Sequence, residues 1–347
     1  MKRYFLSKEK IEPFLKALKS WGELYQIDDE GFLTSVENLP DRLFLRPFRG
    51  VDSVKQIVFS TVKDVSTYPG RKDQMPEIPK RVIFDVKACD VHAIKVFKDI
   101  FLNDPDFIDP FIKEVLDNLF IVATDCSDCL DTCFCSLIGD KPYPTSEFDL
   151  SLAKTEDGFI LTAGSDKGER FLKENYSLPE AEQTKTDIVD KNRDELEKKV
   201  KSINKEYDTD RAYYDLVKHG YYSKGWADAQ NCVSCGACTN VCPTCYCFGL
   251  ADYIVAKNEY KRSRNIDSCQ FASFSLMAGG GNPRPLHRQH FIHRFNHKFY
   301  HFKERQGFYA CTGCGRCTIA CLGKIDIRQT LKSVDNAMKK EENSKGK

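Results

Sequence analysis

No apolar run in this 347-residue chain approaches the ~18 residues that a membrane-spanning helix needs, so any association with a membrane is expected to come through partners. Charge of one sign is missing as well. The sequence holds 52 Lys and Arg against 51 Asp and Glu, a formal net charge of +1, and no bulk electrostatic argument points to nucleic acid. Nor is there a helix-turn-helix pattern with a clustered basic face. The chain has no Gly-x-Gly-x-x-Gly after a strand and no phosphate loop, so nothing in it reads as a substrate site. A secretory leader is not expected either, since Met1-Lys2-Arg3-Tyr4 runs into the charged stretch 7–19. Sixteen cysteines in such a chain argue for a reducing cytoplasm and against a disulfide framework. The length is enough for two domains, each burying its own core.

Cysteine is what the sequence does have. Cys232, Cys235, Cys238 and Cys242 follow the pattern Cys-x-x-Cys-x-x-Cys-x-x-x-Cys with Pro243 after it, and Cys311, Cys314, Cys317 and Cys321 repeat that spacing. The spacing suits two 4Fe-4S clusters, in which each iron takes one thiolate. In two-cluster ferredoxins the fourth cysteine of each run reaches across to the cluster held by the other run. The expected ligand sets are therefore crossed. One is Cys232, Cys235, Cys238 and Cys321; the other is Cys311, Cys314, Cys317 and Cys242. Crossing brings the two clusters close together, as electron transfer requires. Zinc sites are usually built from two separated cysteine pairs rather than a repeated quartet. Gly236, Gly313 and Gly315 fit a loop that must turn tightly around a cluster. Such clusters exchange one electron each without bond chemistry on a substrate, so no catalytic acid or base is expected.

The fold class read from the pattern is α+β: an N-terminal α/β domain over 1–183, a charged helical linker over 184–224, and a ferredoxin-like dicluster domain over 225–332. That last domain carries a long helical insert, 246–310, and a charged tail follows at 333–347. In the first domain the apolar stripe Ile11, Phe14, Leu15 and Leu18 predicts a helix. Runs at 56–61, 81–85, 119–124 and 158–162 predict strands. Val91, Ile94, Val96, Phe97 and Phe101 predict a helix between the second and third of these, giving a parallel strand-helix-strand unit. The segment 184–207 reads as an exposed helix bridging the domains, with Ile188, Leu196, Val200 and Ile203 on a rough helical period.

Within the insert, Phe291, Phe295, Phe299 and Phe302 share one helix face. Arg294, Lys298, His301 and Arg305 form a second stripe, read either as a basic surface that docks an acidic redox partner or as a plain solvated face. His287, His290, His293, His297 and His301 also lie here, without the carboxylate that accompanies a zinc helix. Eight further cysteines fall into two groups. Cys126, Cys129, Cys133 and Cys135 follow one predicted strand and Cys89 follows another, so all five are expected at the edge where open α/β sheets bind ligands. Five thiols are one more than a third 4Fe-4S cluster needs; the alternative is free thiols. Cys245, Cys247 and Cys269 are one short of a closed site. They read either as buried small apolar residues or as part of a further cluster completed by another ligand.

Between 81 and 332 the sequence resembles a family of electron-transfer proteins that includes the ferredoxin-like subunit of anaerobic sulfite reductase and the beta subunit of soluble sulfhydrogenases. The pieces that carry the likeness are Thr132-Cys133-Phe134-Cys135, Gly164-Ser165-Asp166-Lys167-Gly168-Glu169, Cys242-Pro243-Thr244-Cys245, Ser268-Cys269-Gln270, Met277-Ala278-Gly279-Gly280 and Gly313-Cys314-Gly315-Arg316-Cys317. The family also has cysteines matching Cys89 and Cys126 but none matching Cys129. The third quartet implied by the resemblance is therefore Cys89, Cys126, Cys133 and Cys135. Two positions depart from the family: Lys87-Ala88 stands where an Arg-Pro is usual, and Leu322 where a proline is usual. The resemblance implies an electron-transfer component of a cytoplasmic oxidoreductase complex, not itself catalytic. Its expected partners are a flavoprotein of the FAD and NAD(P)H type, or a ferredoxin, and a terminal catalytic subunit carrying siroheme or nickel-iron. A cluster-bearing redox sensor or structural scaffold is the other reading.

Overall fold

The computed structural model of the chain describes residues 2–39, 45–69 and 77–345. Ten strands lie among them: β1 Arg3–Ser7, β2 Glu23–Ile27, β3 Leu33–Ser35, β4 Val62–Tyr68, β5 Arg81–Val86, β6 Leu119–Thr124, β7 Leu150–Lys154, β8 Gly158–Ala163, β9 Phe248–Ala256 and β10 Glu259–Ile266. The described residues form two compact units. The first takes 2–39, 45–58, 77–203 and 312–314, and the second takes 59–69, 204–311 and 315–345.

The first unit is built on a seven-stranded sheet in the order β1-β8-β7-β6-β5-β2-β3. Its centre is parallel, through the β2/β5, β5/β6 and β6/β7 pairs, and its flanks are antiparallel. β6 is buried along its whole length and β5 at all but its first residue, as parallel strands covered on both faces must be. The expected strand-helix-strand unit is present, with Arg81 opposite Leu119. Its crossover helix, Ala88–Phe101, buries Val91, Ala93, Ile94, Val96, Phe97 and Phe101. A second crossover helix, Pro110–Asp117, starts where the Asp109 carboxylate accepts from the Phe111 and Ile112 N–H groups, with proline at the first helical position, where no N–H is needed. The core runs through Leu6, Phe14, Leu18, Phe84, Phe120, Leu161 and Phe171.

Three expectations are corrected. Residues 56–61 hold no strand: Lys55–Val58 is a short helix and β4 begins only at Val62, because a brief apolar run suits either element. Helix Gln183–Ile203 is not an exposed bridge. It belongs to the first unit and buries Thr186, Val189, Leu196 and Val200, whereas Ile188 is exposed. The charged C-terminal stretch is a helix, Ile327–Lys345, whose Leu331, Val334 and Asp335 are buried; residues 346–347 of the expected tail lie outside the described residues.

The Gly164–Glu169 motif turns out to be a helix start. The Ser165 hydroxyl accepts from the Gly168 N–H at 3.0 Å and donates to the Asp149 carboxylate at 2.6 Å. A Cβ on Gly168 would stand 2.0 Å from the Asp149 carbonyl oxygen, so only glycine fits.

In the second unit, β4, β10 and β9 form an antiparallel sheet. Trp226, fully buried, packs edge-on against Phe291 and Phe295 of helix His287–Phe295. That helix passes without a break into a wider π-helical turn, Asn296–His301, and then into Phe302–Gln306. Among the described residues no helix is long and apolar enough to cross a membrane. The architecture as a whole is a mixed one, an α/β sheet unit joined to a cysteine-rich C-terminal unit.

Candidate metal centres

In the first unit, β5 ends at Val86 and its helix starts at Ala88, which sets Cys89 in the first turn. β6 ends at Thr124, and the loop beyond it carries Cys126, Cys129, Cys133 and Cys135. The carboxyl ends of adjacent parallel strands thus present both groups at one edge. The five thiols line a single cavity together with Arg49, Val200, Thr312, Gly313 and Cys314. Cys129, which the resemblance leaves out, lies beside Cys133 in that cavity.

Buried polar contacts fix this edge. At the register shift between Phe84 and Val86, Asp85 takes a φ of 63°, and its carboxylate accepts from Lys87 Nζ at 2.7 Å and from the Arg46 N–H at 2.9 Å. Lys87 Nζ also donates to Thr124 Oγ1 at 2.7 Å, so this lysine ties the ends of β5 and β6 together. Arg193 and Lys199, on helix Gln183–Ile203, pair with Asp125 at 2.7 Å and Asp128 at 2.6 Å, on the cysteine loop itself. Opposite them, the Phe134 N–H donates to the Gly313 carbonyl at 2.7 Å. Gly313 has a φ of +61°, and a Cβ there would lie 2.4 Å from the Cys135 nitrogen, so glycine serves both the backbone twist and the close approach.

Burial pushes the Cys126 thiol up to about 12 and the Cys129 thiol up to about 11. A thiol binds metal as the thiolate, so metal binding at a thiol raised in this way would release a proton.

In the second unit the repeated spacing corresponds to a repeated local structure. After Gly236, at a φ of 74°, a helical turn Ala237–Asn240 carries Cys238; after Gly315, at a φ of 69°, a matching turn Arg316–Ile319 carries Cys317. The two turns pack on each other. Burial raises the Cys232 pKa, and the nearby Cys321 and Cys235 add to it, so the last cysteine of the second run stands near the start of the first. Burial likewise pushes Cys238 up to about 11, with Cys317, Cys269 and Cys232 as neighbours.

The trio Cys245, Cys247 and Cys269 is not scattered. Cys245 hydrogen-bonds Cys242, holding the Cys242 thiol well below its usual range, and Cys247 hydrogen-bonds Cys269, which drops to about 6. Gln270 Nε2 donates to Cys269 Sγ at 3.4 Å and to the His290 carbonyl at 3.0 Å. Among the described residues no three His, Cys, Asp or Glu side chains gather as a single metal ion would require. A cluster instead takes its thiolates on separate irons.

The basic stripe of the insert is not the expected surface. Arg294 is 8% exposed and Lys298 3% exposed, while His301 and Arg305 are on the outside. At 3.6 residues per turn Arg294 and Lys298 fall only about 60° and about 20° from Phe291, so they flank the phenylalanine stripe and share its buried face. Lys298 Nζ donates to Thr244 Oγ1 at 2.8 Å, and Thr244 Oγ1 in turn lies 3.3 Å from Cys242 Sγ and donates to the Ala310 carbonyl at 2.6 Å. Burial opposes the charge on both residues. Cysteine sulfurs outweigh it: Cys242, Cys245 and Cys311 raise Lys298, and Cys238, Cys317, Cys245 and Cys242 raise Arg294. Sequence reasoning missed this role, and the only signal was the shared helical face. His293 and His297 stack with ring centroids 6.3 Å apart, and burial lowers them to about 4 and about 3.

The donor sets fit iron-sulfur clusters in a second respect. Arg49 Nη2, Thr132 Oγ1, Ser136 Oγ and Thr312 Oγ1 in the first unit are buried without a hydrogen-bond partner. So are Tyr213 OH, Arg294 Nε and Thr318 Oγ1 in the second. Each sits beside a cysteine in sequence or in space, and a sulfur-rich anionic group satisfies such donors.

Fold and thiol placement together define an iron-sulfur protein of the two-cluster, ferredoxin-like class. Residues 231–325 match the 4Fe-4S dicluster domain family. Over 273 residues the chain is 35% identical to sulfhydrogenase 2 subunit beta of Pyrococcus furiosus, a match that covers 76% of this chain and 78% of that protein. The chain belongs to the sulfhydrogenase beta-subunit family.

Proposed function

We propose that the protein is the iron-sulfur electron-transfer subunit of a multi-subunit oxidoreductase of the sulfhydrogenase type, working in a reducing cytoplasm. The observation that carries the reading is the pair of identically spaced cysteine quartets, the third cysteine of each on a matching helical turn, inside a segment that matches the 4Fe-4S dicluster domain family. When bound, the clusters supply one-electron storage and transfer. The chain's own residues hold them: Cys232, Cys235, Cys238 and Cys321 for one, Cys311, Cys314, Cys317 and Cys242 for the other. A third cluster takes Cys89, Cys126, Cys133 and Cys135 in the first unit.

Electrons pass through this relay between a flavoprotein or ferredoxin and a catalytic subunit. The name of the Pyrococcus relative favours a hydrogenase partner over a siroheme one. The test is repeated anaerobic cycling, with reduction by a photoreduced flavin and reoxidation by a viologen. A relay returns through many cycles with its labile sulfide intact. Clusters converted or lost at the first mild reoxidation would overturn the relay in favour of a sensor.

A further inference from the structure

We propose that Lys298, assisted by Arg294, is the built-in counter-charge that holds up the reduction potential of the cluster bound by Cys242 and the Cys311 run. The inference deepens the proposed function and rests on it. Lys298 is 3% exposed and Arg294 8% exposed. Charges so deeply buried are ordinarily matched by carboxylates, since an unpaired buried ion is strongly unfavourable. Here the hydrogen-bond partners of the Lys298 ammonium are neutral, Thr244 Oγ1 at 2.8 Å and the Ala310 carbonyl at 3.5 Å. The Arg294 Nε has none. The groups that raise the two cations most are cysteine sulfurs.

The Lys298 geometry points to one quartet, whereas Arg294 stands near thiols of both, Cys238 and Cys317. Lys298 reaches Cys242 through a single atom, Thr244 Oγ1, which stands 3.3 Å from the sulfur. The Ala310 N–H donates to the Lys298 carbonyl at 3.0 Å, which ties the segment leading into Cys311 to the lysine's own backbone. Lys298 also sits inside the π-helical turn Asn296–His301, an irregularity that often marks functional positions in helices. Placed there, a fixed positive charge in a low-dielectric interior favours whichever cluster state carries the extra electron. Its removal disfavours reduction. Neither the docking role first suggested by the basic stripe nor a solvated face accounts for two cations turned inward.

The experiment is an EPR-monitored redox titration of anaerobically purified K298M and K298R, with iron and labile sulfide measured on the same samples. K298M keeps wild-type iron and shifts one cluster's midpoint to lower potential, leaving the others in place, while K298R restores most of the wild-type midpoint. An unshifted midpoint in iron-replete K298M would overturn the proposal. Should K298M lose iron, T244V decides the matter: it keeps the lysine and removes the hydroxyl between it and Cys242, and the proposal requires the same midpoint to move. No movement there would overturn it equally. Wild-type protein without labile sulfide would instead sink the underlying cluster reading, so the two failures are distinguishable.

Discussion

Cys133 is the residue on which the first-unit site turns, because it neighbours both Cys126 and Cys129 in the shared cavity. Cys133→Ala is expected to lower iron by about four per chain, one cluster's worth, and to leave the remaining EPR signals unchanged; iron analysis beside the wild type checks it. Retention of all iron would return these thiols to the inert class. Cys129→Ala is expected to leave iron unchanged, since the resemblance excludes that residue. Gly313→Ala tests the close approach rather than the ligation. Its Cβ would meet the Cys135 backbone at 2.4 Å, and the expected outcome is loss of first-unit iron with every cysteine still present. At this scale the sequence offers candidate ligands, because cluster chemistry imposes a local spacing. It could not show Arg49, whose Nε donates to the Cys314 carbonyl at 2.8 Å across 265 positions, or the buried Asp85-Lys87 pair, because such contacts exist only once the chain has folded.

Among the elements, helix Gln183–Ile203 matters most to the first-unit site. Its charged composition suggests a solvated bridge, yet Val189, Leu196 and Val200 of its narrow apolar stripe are buried with Thr186, and its Arg193 and Lys199 grip the cysteine loop. Arg193→Ala takes the ion pair from the half-buried Asp125, and is expected to lower stability by about 2 kcal/mol, the worth of a charged hydrogen bond; denaturant unfolding checks it. The insert helix carries a pH dependence. His293 and His297 titrate at about 4 and about 3 when folded, against about 6.5 unfolded. The unfolded chain therefore binds more protons between these values, and stability is full above about 6.5 and falls as the pH drops toward 4. His297→Gln, which can still bond the Tyr246 hydroxyl now 2.9 Å from the ring nitrogen, is expected to flatten that loss. An identical slope in melting temperature against pH would contradict it. The inward turn of Arg294 and Lys298 was hidden for a related reason. A basic side chain reads as solvated unless its counter-charge is visible, and here that charge belongs to thiols far away in sequence.

For the molecule as a whole, the division into a sheet unit and a cysteine-rich unit followed from patterns that repeat locally: the apolar runs of β5, β6 and β8, and the two quartets. What did not follow was set by pairing between distant segments. β1, at the start of the chain, pairs with β8, and residues 312–314 of the second cysteine run group with the first unit. We propose a relay of three clusters, two on the crossed quartets and one on the sheet edge. Iron and acid-labile sulfide per chain, measured on anaerobically purified protein and followed by a reductive EPR titration, test it most directly. About twelve irons with matching sulfide, from three clusters of four, is the expected result. About eight would remove the first-unit cluster and confine the relay to the quartets, and zinc without labile sulfide would contradict the account altogether.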